Sequence, residues 1–144
     1  MSAFSTKKGL GLVAAVAATA LAFGVALPAQ AASDDKTLKI QGIIPLTGSL
    51  SFLSPPEIAG LHMAVDEINA AGGVLGNPVE LTISDSGDGD TLAIADQSAT
   101  KALANNADVV VGAAASGVTR SIINKITGAK VVQISMSNTA VDLT

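Results

Sequence analysis

Residues 109–119 read VVVGAAASGVT, and they contain the transition that decides the fold. Three consecutive valines form a short, continuously apolar run, which is typical of a strand that is covered on both faces. Glycine and alanine then indicate a tight loop. A helix is predicted from about Ser116, with Val118, Ile122 and Ile126 on one side. This stretch therefore predicts a strand, a loop and a helix in direct succession.

The same alternation of strand and helix extends outward from this stretch in both directions. Upstream, residues 38–46 and 79–83 predict two strands, and the second alternates apolar and polar residues like a strand at a sheet edge. Downstream, residues 131–134 predict a fourth strand. The intervening helices are marked by a Pro55-Pro56-Glu57 start, a Gly72-Gly73 end, and a stripe of Leu92, Ala95, Ala99 and Leu103 that closes at Asn105-Asn106. This order predicts an α/β fold, a doubly wound parallel sheet with helices on both faces.

The first 31 residues have the three parts of a secretory signal peptide. Two lysines precede an apolar, alanine-rich run over residues 10–27, and Ala29-Gln30-Ala31 matches a small-residue cleavage site. A transmembrane anchor is the alternative, because the run is just long enough to span a bilayer. The weak hydrophobicity of alanine and glycine favours the signal peptide. We therefore expect a signal peptide, 1–31, and a mature domain, 32–144, exported to the periplasm or cell envelope and soluble after cleavage, since no cysteine is available for lipid attachment.

The composition argues against several classes of function. The chain has 12 acidic and 8 basic residues and no basic cluster after the leader, so nucleic acid is not an expected partner. It has no cysteine and a single histidine, His62, which cannot form a His/Cys metal cluster. His62 also falls within the first predicted helix, and no G-x-S-x-G motif surrounds Ser116. We expect a protein that is not an enzyme and that needs neither metal nor cofactor.

The loops at the carboxyl ends of the strands carry the candidate site, because ligands bind there in parallel α/β sheets. The loop 112–119 has the spacing of a phosphate-binding P-loop, but Val118 occupies the place of the lysine, which argues against a nucleotide. Ser116 and the helix N-terminus suit a smaller anion such as a carboxylate. Ser116 also has the position of a simple helix cap, and the pattern alone leaves both interpretations open.

A second loop, after the predicted edge strand, contains three acidic residues. Asp85, Asp88 and Asp90 lack the alternate spacing and the final glutamate of a calcium-binding loop. A solvated loop that ends in a helix cap at Asp90 or Thr91 is therefore favoured over a calcium site.

Several segments resemble the type I periplasmic binding proteins of branched-chain amino acid ABC transporters, the leucine/isoleucine/valine-binding group. The matching segments are GIIPLTG at 42–48, AVDEINAAGGVLGNPV at 64–79, Val111-Gly112 with Ser116 and Thr119, and Ile134-Ser135 with Thr139 and Leu143-Thr144. They occur in the order and spacing of the family across the predicted mature domain, and the DEINxxGG signature is fairly specific.

This resemblance implies a fold of two lobes that close on a small ligand, of which this chain is an incomplete first lobe. The implied ligand-binding residues are Phe52, Ala115, Ser116, Ser137 and Thr139. Ser116 and Thr139 would bind the α-carboxylate of an amino acid by hydroxyl and backbone N–H, and Ser137 would contact its α-ammonium group. Phe52 or the residue after it would lie near the ligand side chain.

The function implied by the resemblance is the capture of branched-chain or related amino acids for import. The expected partners are the amino acid and the permease and ATPase subunits of the transporter, and the complete protein is expected to be a monomer. Three alternatives remain open: a binding protein for amides or urea, a binding protein for small carboxylates, and a ligand-sensing receptor ectodomain. Because the second lobe and part of the first sheet are expected to be missing, we also predict an unpaired apolar edge near residues 131–134.

Overall fold

Four parallel strands form one sheet in the computed structural model, which describes residues 37–143. The predicted signal peptide, 1–31, lies outside the described residues. Two single 3₁₀ turns, Ser51–Leu53 and Val141–Leu143, follow the loops after the first and last strands. The main elements are, in chain order, β1 (Lys39–Ile44), α1 (Ser54–Ala70), β2 (Glu80–Asp85), α2 (Leu92–Ala104), β3 (Val109–Gly112), α3 (Ser116–Gly128) and β4 (Val132–Ile134). The predicted alternation of strands and helices is confirmed.

The strand order is β2-β1-β3-β4, and every neighbouring pair is parallel. β1 pairs with β2 up to Ile44↔Asp85, and with β3 up to Ile43↔Gly112. The chain moves outward from β1 to β2 and then crosses back past β1 to reach β3. The loops after β1 and β3 therefore diverge from a topological switch point, which is where sheets of this kind bind ligands.

Helices cover both faces of the sheet, as predicted for a doubly wound fold. α1 packs on the face that contains Gly42, where a Cβ would meet the Leu61 side chain of α1 at 3.0 Å. α2 and α3 pack against each other on the opposite face. The buried core on that face consists of Ile43, Ala95, Ala99, Ala102, Ala107, Val110, Ala113, Val118, Ile122 and Ile126. The three predicted apolar positions of α3 are all fully buried within it.

The predicted apolar stripe of α2 is correct in its middle and wrong at its start. Ala95 and Ala99 are fully buried, but Leu92 is 40% exposed, and the helix buries Ala102 and Ser98 instead. Small side chains allow α2 to approach the sheet and α3 closely, so alanine rather than leucine marks the buried face. Leu92 is the first residue of the helix, before its first buried position at Ala95.

The helix ends follow the predicted residues, with two differences in capping. Gly72 and Gly73 adopt φ values of 103° and 75°, and Asn106 one of 55°, which terminate α1 and α2 as predicted. Thr91 precedes α2, but its hydroxyl does not cap the helix and bonds to Asp88 instead. α3 is preceded by Ala115, so Ser116 is the first helical residue rather than the cap.

The two outer strands leave different surfaces open. β2 alternates exposed and half-buried residues at one edge, as predicted. β4 lies at the other edge, where Val132 and Ile134 are 56% and 55% exposed. Within residues 37–143, none of the helices combines the length and the hydrophobicity that a membrane crossing requires.

Candidate ligand-binding site

The candidate site is built from the loops that follow β3 and β4, which are neighbouring strands. Ser116 begins α3 directly after the β3 loop, and its Oγ accepts hydrogen bonds from the N–H groups of Thr139, at 3.2 Å, and Ala140, at 3.3 Å. This pair of contacts brings together two of the predicted ligand-binding residues, 23 positions apart in the chain. Because both contacts use the Ser116 oxygen as acceptor, the hydroxyl hydrogen stays available as a donor.

The first turn of α3 adds further donors beside the Ser116 hydroxyl. The first N–H groups of an α-helix have no partner within the helix, and α3 has no side-chain cap. The aligned peptide dipoles also give this end a partial positive charge. A small anion that reached Ser116 would therefore meet a hydroxyl donor and unpaired backbone N–H groups together.

A second set of hydrogen bonds fixes the β4 loop against the β3 loop. Ser135 Oγ donates to the Ala113 carbonyl at 2.8 Å, and Ser137 Oγ donates to the Ala114 carbonyl at 3.0 Å. Ser137 thus lies on the same pair of loops as Ser116 and keeps its oxygen lone pairs free to accept. These contacts hold the loops in one arrangement before any ligand arrives.

The side chains of Thr139 and Phe52 are exposed to solvent. Thr139 is exposed, its N–H is bonded to Ser116, and its hydroxyl makes no hydrogen bond within residues 37–143. Phe52 lies in the 3₁₀ turn after β1, the strand next to β3, and is 70% exposed. The structure therefore groups Ala115, Ser116, Ser137 and Thr139 on two adjoining loops and puts Phe52 on the neighbouring loop.

Thr119 entered the sequence analysis only through the family resemblance, and neither its support of this group nor that of Asn138 was predicted. Thr119 is 3% exposed, and its Oγ1 lies 3.1 Å from the Ala113 carbonyl oxygen and 3.3 Å from Oδ1 of Asn138. Thr119 is three residues after Ser116 on α3, so the helical repeat alone puts both hydroxyls on one side of the helix. That spacing was the available signal, whereas Asn138 carried none.

The acidic residues at the end of β2 and in the loop after it face hydrogen-bond donors rather than an open cation site. Asp85 accepts from the Thr47 hydroxyl at 2.5 Å and from the N–H groups of Thr47 and Gly87. Partial burial alone would raise the pKa of Asp85, but these hydrogen bonds together hold it below its ordinary value. The N–H of Ser49, the Thr91 hydroxyl and the N–H of Asp90 likewise lower the pKa of Asp88.

A separate cleft of about 410 Å³ opens at the amino ends of β1 and β2. Lys39 and Glu80 give this cleft side chains of opposite charge. The buried Gln41 also lines it, but its amide NH₂ already donates to the carbonyls of Gly42 and Thr82 and to the hydroxyl of Ser84. Among residues 37–143, no helix N-terminus opens into this cleft, since its helical border is the C-terminal end of α2. We assign the site to the carboxyl ends of the strands, where unpaired donors converge.

The fold and these loops define a class of ligand-binding α/β protein, and comparison with known proteins identifies the family. Residues 37–144 match the family model described as periplasmic binding protein. The chain belongs to this family.

Individual relatives agree with the family assignment. A Leu/Ile/Val-binding protein, BraC3, from Rhizobium johnstonii is 32% identical over 102 residues, which cover 71% of this chain and 27% of that protein. The Leu/Ile/Val-binding protein homolog 8 of Brucella abortus is 43% identical over 51 residues, which cover 35% of this chain and 13% of that protein.

A solved structure shows the same fold. The branched-chain amino acid transporter substrate-binding protein LivJ from Streptococcus pneumoniae, crystallised with isoleucine, superposes with a TM-score of 0.70 at 37% identity. The match covers 75% of this chain and 31% of LivJ. The chain thus spans less than a third of the length of each of these three proteins.

Proposed function

We propose that this chain forms the part of an extracytoplasmic solute-binding protein that holds the carboxylate of an amino acid for import by an ABC transporter. The observation that carries the proposal is the pairing of Ser116 with Thr139 at the N-terminus of α3. An α-carboxylate presented there would accept from the Ser116 hydroxyl and from the backbone N–H groups of the first turn. The Thr139 hydroxyl, which is free within the described residues, would be a third donor.

The other end of an amino acid suits the adjoining residues. Ser137 has its hydroxyl hydrogen bonded to Ala114, which leaves its oxygen to accept from an α-ammonium group. Phe52, exposed on the neighbouring loop, would cover one side of an apolar side chain. Branched-chain amino acids are the favoured ligands, because the relatives are described as Leu/Ile/Val-binding proteins and LivJ was crystallised with isoleucine.

This function needs binding and release rather than catalysis. His62 is exposed on α1, whereas Ser116 begins α3 on the opposite face of the sheet, so within residues 37–143 His62 does not pair with Ser116 for hydrolysis. We propose that a signal peptide, 1–31, directs export and that the mature protein, from residue 32, delivers its ligand to the permease and ATPase subunits of the transporter. In this role the complete protein would act as a monomer that closes over the ligand.

Isothermal titration calorimetry on the full-length protein tests the proposal. Leucine, isoleucine and valine are titrated in parallel with leucinol, which keeps the ammonium group and the side chain but lacks the carboxylate. We expect saturable heat with at least one of the amino acids and none with leucinol, because the donors around Ser116 need an anion. Absence of heat with all three amino acids, or equal binding of leucinol, would contradict the proposal.

A further inference from the structure

Asp88, in the loop after β2, fixes the loop after β1 by accepting hydrogen bonds from it. Asp88 is only 8% exposed, and its Oδ2 accepts from the Ser49 N–H at 2.8 Å and from the Ser49 hydroxyl at 3.2 Å. Its Oδ1 accepts from the Asp90 N–H and the Thr91 hydroxyl, at 3.1 and 3.0 Å. One oxygen thus holds the β1 loop while the other fixes the carboxylate to its own loop.

The contact leaves no room for a side chain at position 48 of the β1 loop. Gly48 adopts a φ of +88°, and a Cβ at this position would lie 2.4 Å from Oδ2 of Asp88. Only glycine both tolerates this φ and lets the carboxylate approach. Among residues 37–143, Asp88 forms no ion pair, so N–H and O–H donors alone fix its orientation.

The loop fixed by Asp88 leads directly into the 3₁₀ turn that contains Phe52, the residue proposed to face the ligand side chain. The Ser51 N–H donates to the Gly48 carbonyl at 3.2 Å and begins the 3₁₀ turn that contains Phe52. At the far end of the loop, the buried Ser54 hydroxyl donates to the Pro45 carbonyl at 2.5 Å. A shift of Ser49 would therefore move the 3₁₀ turn, because the loop is tied down on both sides of it.

We propose that Asp88 is a positioning residue that fixes the loop after β1 and, through it, sets which amino acid side chains the site accepts. The proposal rests on the proposed function, since it assigns a role within the same binding site. Asp88 does not touch the ligand; it acts through Ser49 and Gly48 on Phe52. The carboxylate subsite at Ser116 lies on other loops and is not held by Asp88.

The test compares ligand selectivity in variants of the full-length protein. Dissociation constants for leucine, isoleucine and valine are measured by calorimetry for Asp88→Ala and Asp88→Asn. We expect Asp88→Ala to weaken binding roughly tenfold and to change the ratio of the leucine and valine constants, because the side-chain wall moves while the carboxylate subsite stays. Asp88→Asn retains one acceptor oxygen and should lie between Asp88→Ala and wild type.

The ratio of the constants separates positioning from general loss of stability. Partial unfolding lowers the affinity for every ligand by the same factor and leaves the ratio unchanged. Asp90→Asn is the matched control, since it removes the same charge from the same loop and its carboxylate makes no hydrogen bond within the described residues. It should keep the wild-type ratio.

Two results would overturn the proposal. The first is a wild-type ratio in both Asp88 variants, and the second is an equal change of ratio in Asp90→Asn. If Asp88→Ala does not fold, Asp88→Asn alone decides between the two outcomes. A wild-type protein that binds none of the three amino acids would overturn the proposed function together with the role of Asp88, which distinguishes that failure from a failure of Asp88 alone.

Discussion

Ser116 combines two properties that a binding residue at a helix start requires. Its oxygen accepts from Thr139 and Ala140, which fixes the side chain, while its hydrogen remains available to a ligand. The residue is therefore oriented before binding and loses little side-chain entropy when an anion arrives.

Replacement of Ser116 by alanine should weaken amino acid binding more than it weakens the fold. We expect a loss of about 2 kcal/mol in the binding free energy of leucine, the typical contribution of a hydrogen bond to a charged group. Unfolding should change by about 1 kcal/mol or less, because water can replace the lost acceptor at a partly exposed position. Calorimetry and urea titration measure the two quantities.

Ser121→Ala is the control for Ser116→Ala, since it makes the same substitution on the same helix. In the part of the chain that the structure describes, the Ser121 hydroxyl bonds only to the Val118 carbonyl of its own helix. Its removal should leave ligand affinity unchanged. Similar losses of affinity in both variants would show that helix integrity, rather than the Ser116 hydroxyl, governs binding.

Asp88 should make the fold sensitive to acid. The Ser49 N–H, the Thr91 hydroxyl and the Asp90 N–H favour the charged carboxylate, so the pKa of Asp88 lies below its ordinary value of 3.8. A carboxyl with a lower pKa in the folded state stabilises the fold above its unfolded pKa, and this contribution is lost as the pH falls through the folded pKa. We expect the free energy of unfolding of wild type to fall below about pH 4 more steeply than that of Asp88→Asn.

Urea titrations between about pH 2 and about pH 7 check this pH dependence. Asp85, whose pKa is also lowered, keeps its own contribution in both proteins and cancels in the comparison. Asp90→Asn should retain the steep dependence of wild type. Parallel curves for wild type and Asp88→Asn would contradict the assignment of acid sensitivity to Asp88.

At the scale of the elements, β1 and β3 meet more closely at Gly112 than a side chain permits. A Cβ on Gly112 would lie 2.1 Å from the Ile43 carbonyl oxygen, and the residue has a φ of +125°. Gly112→Ala should therefore disrupt the Ile43↔Gly112 pair at the switch point and destabilise the protein by on the order of 3 kcal/mol. Chemical denaturation measures this loss.

Gly60→Ala is the matched control for the same substitution in a helix. Gly60 is exposed in the interior of α1, and a Cβ there would meet nothing within 4 Å. Alanine should stabilise the helix by about 1 kcal/mol, since glycine costs that much in a helix interior. Destabilisation by Gly60→Ala, or neutrality of Gly112→Ala, would contradict this account of the two sites.

The buried face of a helix could be predicted from the sequence where the residues on its two faces differ strongly in size or polarity. α3 alternates isoleucine and valine with polar residues, so its buried face follows from the helical repeat, and its predicted apolar positions are all buried. α2 is rich in alanine, which fits a buried or an exposed face, so its face was fixed by packing against α3 rather than by pattern. Leu92 was assigned to the buried face as an apolar residue, but as the first residue of the helix it is 40% exposed.

At the scale of the whole molecule, the candidate site depends on strand order, which the sequence leaves open. That loops at the carboxyl ends of the strands approach one another follows from parallel pairing. The contact between Ser116 and Thr139 requires β3 to lie beside β4. The contact between Asp88 and Ser49, 39 positions apart in the chain, requires β1 to lie beside β2. The loop pattern and the family resemblance both indicated Ser116, the resemblance alone indicated Thr139, and the role proposed for Asp88 rests only on the structure.

We expect the outer strand β4 to govern the behaviour of the polypeptide 32–144 when it is produced alone. β4 pairs with β3 on one side and with no strand of residues 37–143 on the other. Val132 and Ile134 are more than half exposed beside this edge, so unpaired backbone groups and apolar side chains lie together. Such an edge is a template for pairing with another chain. We expect this polypeptide to associate with itself, as measured by size-exclusion chromatography with light scattering.

Charge on this edge should reverse the association. In the double variant Val132→Lys and Ile134→Lys, lysines flank the unpaired backbone and oppose the approach of a second edge through repulsion and desolvation. Leu75→Lys is the control, because Leu75 is 97% exposed in the turn between α1 and β2, next to the opposite edge strand. It removes an exposed apolar side chain without touching β4, so association should persist. A monodisperse, cooperatively unfolding wild-type monomer, or equal rescue by Leu75→Lys, would show that β4 is not the associating edge.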